Sequence, residues 1–227
     1  MNIVITGCSK GIGAELVKLW SQDNMVFGIS RDIISLKKIQ KNLKRPSNFK
    51  FIAEDITKLT VNQLNTWISV DSIDILINNA GFLINKEFEK VNYEEYKKVM
   101  DINFWGPFHI TQLLIQKLSV VNGHVVNISS MGGVNYSSKF PGLSLYSSSK
   151  GALTILTECL AEELKSYNIS VNTLALGAVQ TEMLNKAFPS YKAPTSAKEM
   201  AEYIISFCES SNKILNGQII KVSKSNP

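Results

Sequence analysis

Seven short runs of apolar and β-branched residues alternate with stretches of helical spacing along the whole chain, and no other property restricts the fold as strongly. The strand-like runs are Asn2–Thr6, Met25–Ser30, Phe49–Ala53, Ile73–Asn78, His124–Ser129, Ile169–Leu176 and Gln218–Val222. Between them, Ala14–Ser21, Ile33–Leu43, Val61–Val70, Tyr93–Leu118, Tyr146–Ser166 and Ala197–Cys208 carry apolar residues at helical spacing, as at Leu16, Val17, Leu19 and Trp20. Strands that are apolar throughout need cover on both faces, so they predict a parallel sheet with helices on each side. Right-handed crossovers turn such a chain into a doubly wound α/β sheet of about seven strands, with ligands at the carboxyl ends of the strands. Glu182–Ser196 is the one long segment without clear periodicity, which makes it a candidate substrate lid. No repeat and no Pro/Gly-rich linker divides the 227 residues, so one domain spanning 1–227 is expected.

Composition narrows the function classes. Hydrophobic residues make up 44% and charged residues 19%, which excludes disorder as the main state. No apolar run reaches the roughly 18 residues of a membrane span, and MNIVITGCSK lacks a charged region followed by an apolar one. Neither secretion nor a membrane partner is expected. Cys8, Cys159 and Cys208 show no C-x-x-C spacing and read as reduced thiols of a cytoplasmic protein. The net charge of +5 is modest and its basic residues are not interleaved with aromatic ones, so no nucleic-acid partner is expected. His109 and His124 lack Cys or carboxylate neighbours at ligand spacing, so no metal is expected. The basic run Lys37, Lys38, Lys41, Lys44 and Arg45 reads as a solvated helix face.

Directly after the first strand comes Thr6-Gly7-Cys8-Ser9-Lys10-Gly11-Ile12-Gly13. Glycines allow a tight turn and close approach of the backbone to a pyrophosphate, whose charge sits at the N-terminus of the following helix. The spacing is G-x-x-x-G-x-G, and Lys10 is not followed by the Gly-Lys-Ser of a P-loop. Strand before, helix after, and the place in the chain favour a dinucleotide. The second strand ends at Ile29-Ser30-Arg31-Asp32. There an acid holds the adenosine ribose hydroxyls, whereas an arginine accommodates a 2′-phosphate. With Arg31 in the near position and Lys10 as a second cation, NADP(H) is favoured over NAD(H). A shift of one residue would instead place the Asp32 carboxylate on the ribose.

Tyr146 and Lys150 lie four apart in YSSSK, on one face of a helix. A free phenol has a pKa of about 10, and a nearby ammonium lowers it toward the range useful for proton transfer at a carbonyl oxygen. Ser129-Ser130 ends the preceding strand, Asn78-Asn79-Ala80-Gly81 ends the one before, and Asp101-Ile102-Asn103 lies in the long helix between them.

TGCSKGIG, NNAG, Asn103, NISS and YSSSK, in this order from residue 2 to about residue 183, resemble the short-chain dehydrogenase/reductase family of single-domain, Rossmann-like oxidoreductases. The resemblance implies a catalytic tetrad of Asn103, Ser130, Tyr146 and Lys150. Tyr146 would be the general acid in reduction and the base in oxidation. Lys150 would hold the nicotinamide ribose and lower the tyrosine pKa. Ser130 would hydrogen-bond the substrate oxygen, and Asn103 would position a water that relays protons to Lys150. Gly7, Gly11 and Gly13 would carry the diphosphate, together with Ser9, Lys10 and Ile12. Asp55 and Ile56 would meet the adenine, Asn79, Ala80 and Gly81 the middle of the cofactor, and Thr181 the nicotinamide amide. The family also implies a homodimer or homotetramer in which the Tyr146 helix and the aromatic stretch Phe104-Trp105-Gly106-Pro107-Phe108 pack against a second subunit. A buried aromatic core is the competing account of that stretch.

Three departures stand out. Ser130 precedes Tyr146 by 16 residues instead of the family's usual thirteen, so Met131–Leu145 carries about three extra residues. Leu176-Gly177 replaces the frequent Pro-Gly, and the tail lacks Asp-Gly-Gly. The expected function is an NADP(H)-dependent oxidoreductase that interconverts a small-molecule carbonyl and alcohol, acting as a reductase in the cell. The alternatives are a 3-oxoacyl thioester reductase specifically, or a non-catalytic NADP(H)-sensing or scaffold protein.

Overall fold

A computed structural model describes residues 1–211 and 214–224. The apolar runs form strands β1 (Asn2–Thr6), β2 (Met25–Ile29), β3 (Phe49–Ile52), β4 (Ile75–Asn78), β5 (His124–Ser130) and β6 (Ser170–Leu176). After them come a two-residue pair, β7 (Val179–Gln180) and β8 (Thr195–Ser196), and a last strand, β9 (Ile219–Val222). The helices are α1 (Gly11–Trp20), α2 (Ile33–Lys41), α3 (Val61–Trp67), α4 (Tyr93–Met100), α5 (Gly106–Ser119), α6 (Ser144–Glu163), α7 (Glu182–Ala187) and α8 (Ala197–Ser211).

The seven long strands make one sheet in the order β3-β2-β1-β4-β5-β6-β9, with every pairing parallel. The expected α/β, Rossmann-like, doubly wound sheet is therefore the fold. Apolar residues alternate between its two faces as the strand period of two requires. Ile3 and Ile5 join Leu16, Val17 and Trp20 of α1 with Met200, Ala201 and Ile204 of α8 on one side. Val4 joins Leu64 of α3, Ile110, Leu114 and Leu118 of α5, and Ala161 of α6 on the other. The chain runs outward from β1 to β3 and then returns to β4, so the strand order reverses between β1 and β4. A crevice opens at the carboxyl ends of two strands at such a reversal.

A buried polar chain fixes how the second helical layer sits on the sheet. The Asn78 amide donates to Thr111 Oγ1 at 3.1 Å and to Asn127 Oδ1 at 2.8 Å. Asn127 donates in turn to Thr157 Oγ1 at 2.9 Å, which lies 2.6 Å from Thr173 Oγ1. Such a network ties β4, β5, β6, α5 and α6 into one arrangement, because breaking any link strands a buried polar group.

The sequence predicts one long helix over Tyr93–Leu118 that Pro107 bends or offsets, and the structure breaks it outright. A π turn at Asp101–Trp105 separates α4 from α5, with the Gly106 amide bonded to the Asp101 carbonyl. Pro107 explains the break, since it has no N–H to offer the Asn103 carbonyl four residues back. The segment Glu182–Ser196 is also more ordered than its lack of periodicity suggested. It begins with α7, capped by Thr181 through a 3.3 Å bond from the Leu184 amide, and it ends in β8. Gln180 Oε1 accepts from the Ala193 amide at 2.7 Å and closes its base.

Candidate active site

The two chain turns at the strand reversal are stitched together by one hydroxyl. Thr6 Oγ1 accepts from the Asn79 amide at 3.1 Å and the Ala80 amide at 3.0 Å. Asn79 Nδ2 returns two bonds of 3.1 Å, to the Thr6 and Gly7 carbonyls. Gly7 has φ +67°, and a Cβ on it would lie 2.6 Å from Ala80 Cα. A Cβ on Gly13 would lie 2.7 Å from Asn79 Nδ2. Two of the three glycines are thus required by packing between the turns, before any ligand is considered.

The turn still suits an anion. Helix α1 begins at Gly11 with Lys10 as N-cap, no side chain caps its free N–H groups, and its first turn has no acid. Uncapped amides at the positive end of a helix dipole are what a diphosphate recognises. Ile12 packs toward the core, and Ser9 Oγ accepts from Ser30 Oγ at 2.8 Å.

Arg31 and Lys10 both stand exposed at the end of β2. Asp32 is committed elsewhere: it caps α2, accepting from Ser35 N at 3.0 Å and Ser35 Oγ at 2.8 Å, with Lys10 Nζ at 3.1 Å. The Ser35 amide, the Ser35 hydroxyl and the Lys10 ammonium together hold its carboxyl down at about 2. Arg31 lies 3.8 Å from Asp55, which is otherwise occupied by the Thr57 amide and hydroxyl. Ile56 is buried, and its side chain fills the space above Gly106, so only its backbone can face a ligand.

At the end of β5 the two serines part. Ser129 is buried and donates to the Lys150 carbonyl at 3.0 Å, whereas Ser130 is only half-buried and hydrogen-bonds with Tyr146. Helix α6 brings Tyr146 and Lys150 to the same place, with Lys150 Nζ 6.0 Å from the tyrosine ring centre. Lys150 is buried and donates to the Ile128 carbonyl at 2.8 Å. A Cβ on Gly81 would lie 3.6 Å from Lys150 Nζ, 3.7 Å from Asn103 Oδ1 and 3.8 Å from Met183 Cε. Bare glycine therefore leaves a slot between the lysine, the asparagine and α7 that a side chain would narrow.

The lowering of the Tyr146 pKa expected from Lys150 is opposed by burial. Burial pushes the phenol up to about 12, and the hydrogen bond from Ser130 only partly offsets this. Lys150 responds to burial in the opposite sense and falls to about 8. A unit charge at 6 Å is worth about 3 kcal/mol at an effective dielectric of 20, roughly two pKa units, so even a fully charged Lys150 leaves Tyr146 protonated at neutral pH.

Asn103 turns its side chain to the neighbouring turn and to α6. Its Oδ1 accepts from the Phe82 amide at 2.7 Å, and its Nδ2 donates to the Phe82 carbonyl and to Ser149 Oγ, each at 2.9 Å. The side chain clamps the NNAG turn to α6. Thr181 uses its hydroxyl as a helix cap, and its methyl lies 3.2 Å from where a Gly11 Cβ would be. Sequence reasoning passed over Thr6, Phe82, Ser149 and Met183; only Thr6 carried a signal, as the last residue of its strand.

Among the described residues, no helix is long and apolar enough to cross a membrane and no group of His, Cys, Asp and Glu could hold a metal ion. Residues 1–192 match the sequence model of a family described as short chain dehydrogenase. An uncharacterized oxidoreductase of Schizosaccharomyces pombe is 34% identical over 203 residues, 84% of this chain and 67% of the relative. A 3-oxoacyl-[acyl-carrier-protein] reductase of Aquifex aeolicus is 27% identical over 237 aligned positions, 97% of this chain and 94% of the relative. The structure of ElxO with NADP bound superposes with a TM-score of 0.83 at 27% identity, covering 97% of this chain and 96% of that one.

Proposed function

The chain belongs to the short-chain dehydrogenase family, and on that premise we propose an NADP(H)-dependent oxidoreductase that interconverts a carbonyl and an alcohol, working as a reductase in the cell. The observation that carries this reading is the meeting of Ser130, Tyr146 and Lys150 beside the slot at Gly81. A bound nicotinamide cofactor supplies the hydride, and the chain's own residues supply geometry and the proton. The uncapped start of α1 with Gly7, Gly11 and Gly13 would hold the diphosphate, and Lys150 the ribose nearest the reacting ring.

Ser130 donates a hydrogen bond to the substrate oxygen, where negative charge develops. Tyr146 gives that oxygen its proton. The phenol, held at about 12, carries that proton throughout the neutral range. Asn103 keeps the NNAG turn and α6 at a fixed distance, and so keeps the slot open.

NADPH oxidation against ketones, aldehydes, 3-oxoacyl thioesters and quinones tests the reading. Similarity to the Aquifex reductase puts 3-oxoacyl thioesters first in that panel. Turnover with one class supports a reductase and names its substrate. NADPH binding without turnover of any class would overturn it in favour of a cofactor-sensing protein.

The preference for NADP(H) rests on Arg31 and on the commitment of Asp32 to its helix cap. Arg31→Ala should raise the Kd for NADPH by about tenfold to a hundredfold, the worth of a hydrogen bond to a charged group, and change that for NADH by less than about threefold. Equal losses for both cofactors would remove Arg31 from the 2′-phosphate.

A homodimer or homotetramer through α5 and α6 belongs to the same reading. Trp105 is 41% exposed while stacked on Phe108 and His109, and Ile155 on α6 is 59% exposed. Light scattering should give two or four times 25.2 kDa; a monomer at working concentration sinks this assembly. The three free cysteines fit a reducing, cytoplasmic setting.

A further inference from the structure

Three segments come together near the site: the stretch after β4, the long connection Met131–Leu143 between β5 and α6, and α7. They meet at one side chain. Asn85 Nδ2 donates to the Ala187 carbonyl at 2.9 Å, 102 residues away in sequence. That carbonyl is the last of α7 and has no partner within its own helix. On its other side, Asn85 Oδ1 occupies the space where a Gly142 side chain would begin. Next to it, the Lys86 amide donates to the Gly142 carbonyl at 2.9 Å. Gly142 has φ +81°, so both its conformation and the closeness of Asn85 demand glycine. Gly142 belongs to the connection that carries the extra residues.

Helix α7 itself is poorly anchored. It has six residues, none of them buried, and its start is held by the Thr181 cap. Met183 and Thr181, which border the slot at Gly81 and the glycine turn, ride on this segment. Whatever holds the far end of α7 therefore sets how firmly that side of the slot is closed.

We propose that Asn85 is a positioning residue that clasps α7 to the β5–α6 connection and so sets the affinity for the carbonyl substrate; this rests on the reductase reading above. The extra residues deliver Gly142 to the rim, where Asn85 packs against it. The clasp joins α7 to the β5–α6 connection with a single amide donor.

Hydrogen exchange of the purified protein, without substrate, tests the clasp. In Asn85→Asp the oxygen facing Gly142 remains and the donor to Ala187 is lost. The amides of Asn185 and Phe188, bonded to the Thr181 and Leu184 carbonyls, should exchange about fivefold faster, roughly the worth of one net hydrogen bond, with the central strands unchanged. Asn85→Ala should do the same, and Asn85→Gln should restore part of the protection. For the best carbonyl of the panel, KM should rise several-fold in Asn85→Asp, with kcat and the Kd for NADPH unchanged. Unchanged exchange at Asn185 and Phe188 overturns the clasp. Faster exchange spread through β1, β4 and β5 overturns it too, because Asn85 would then support the whole fold. A protein that turns over no carbonyl, yet shows the local exchange change, keeps the clasp and loses only the reductase reading.

Discussion

Tyr146→Phe should lower turnover of the best carbonyl substrate by about a hundredfold to ten-thousandfold, the usual contribution of a positioned proton donor. The ring stays in its place at the start of α6, so NADPH should bind within about twofold of the native affinity. Melting temperature should change little, because only a hydroxyl is removed and the ring keeps its packing. Stopped-flow binding of NADPH beside steady-state turnover separates the two effects. A variant that retains full turnover would take the proton-donor role away from Tyr146. A variant that loses NADPH affinity as well would make the tyrosine a cofactor ligand first.

Lys150→Met should change activity and stability in opposite directions. Turnover should drop by at least about a hundredfold, since the amine that borders the Gly81 slot disappears. Relief of the buried charge should add on the order of 1–3 kcal/mol of stability at pH 7, offset in part by leaving the Ile128 carbonyl without its donor. The reason is that burial lowers the lysine from its ordinary 10.5 to about 8 in the folded protein. Below pH 8 both folded and unfolded chains carry the proton, and the folded one bears the full burden of a buried charge. Between pH 8 and 10.5 the folded chain has released the proton while the unfolded chain still holds it, so stability climbs with pH. Above 10.5 the penalty is gone. The advantage of Lys150→Met should therefore be largest below pH 8 and fade by about pH 10.5. Chemical denaturation at pH 7, 9 and 10.5 measures it, and a variant less stable than the native chain at every pH contradicts the argument.

Most of the sheet was legible because its strands are short apolar runs rich in Ile and Val, where period and burial say the same thing. The helix break was half legible: Pro107 announced a disturbance, but only the structure shows five residues in one wide turn before it. The resemblance pointed to Ser130 through the match of Ser129-Ser130-x-x-Gly133 to the family's serine motif, and the structure adds a physical difference, since Ser129 is turned toward the Lys150 carbonyl. The surroundings of Tyr146 were only half legible. Spacing along a helix reveals a neighbouring ammonium but not the depth at which both groups lie, and depth dominates here. Asn85 and Gly142 lay beyond sequence reasoning altogether, because nothing local to either residue points to a partner 57 positions away.

The wide turn at Asp101–Trp105 also makes chain length, and not only residue identity, part of the design. Taking out one residue between Asn103 and Gly106 would let the backbone return to an ordinary α-ladder, a local gain in hydrogen bonding. It would also rotate one side of the join by about 100° and shift it by about 1.5 Å against the other. Asn103 could then no longer reach Phe82 and Ser149 while Ile110, Leu114 and Leu118 kept their seats on the sheet. Homologues should therefore exchange residues freely along this stretch far more readily than they gain or lose one.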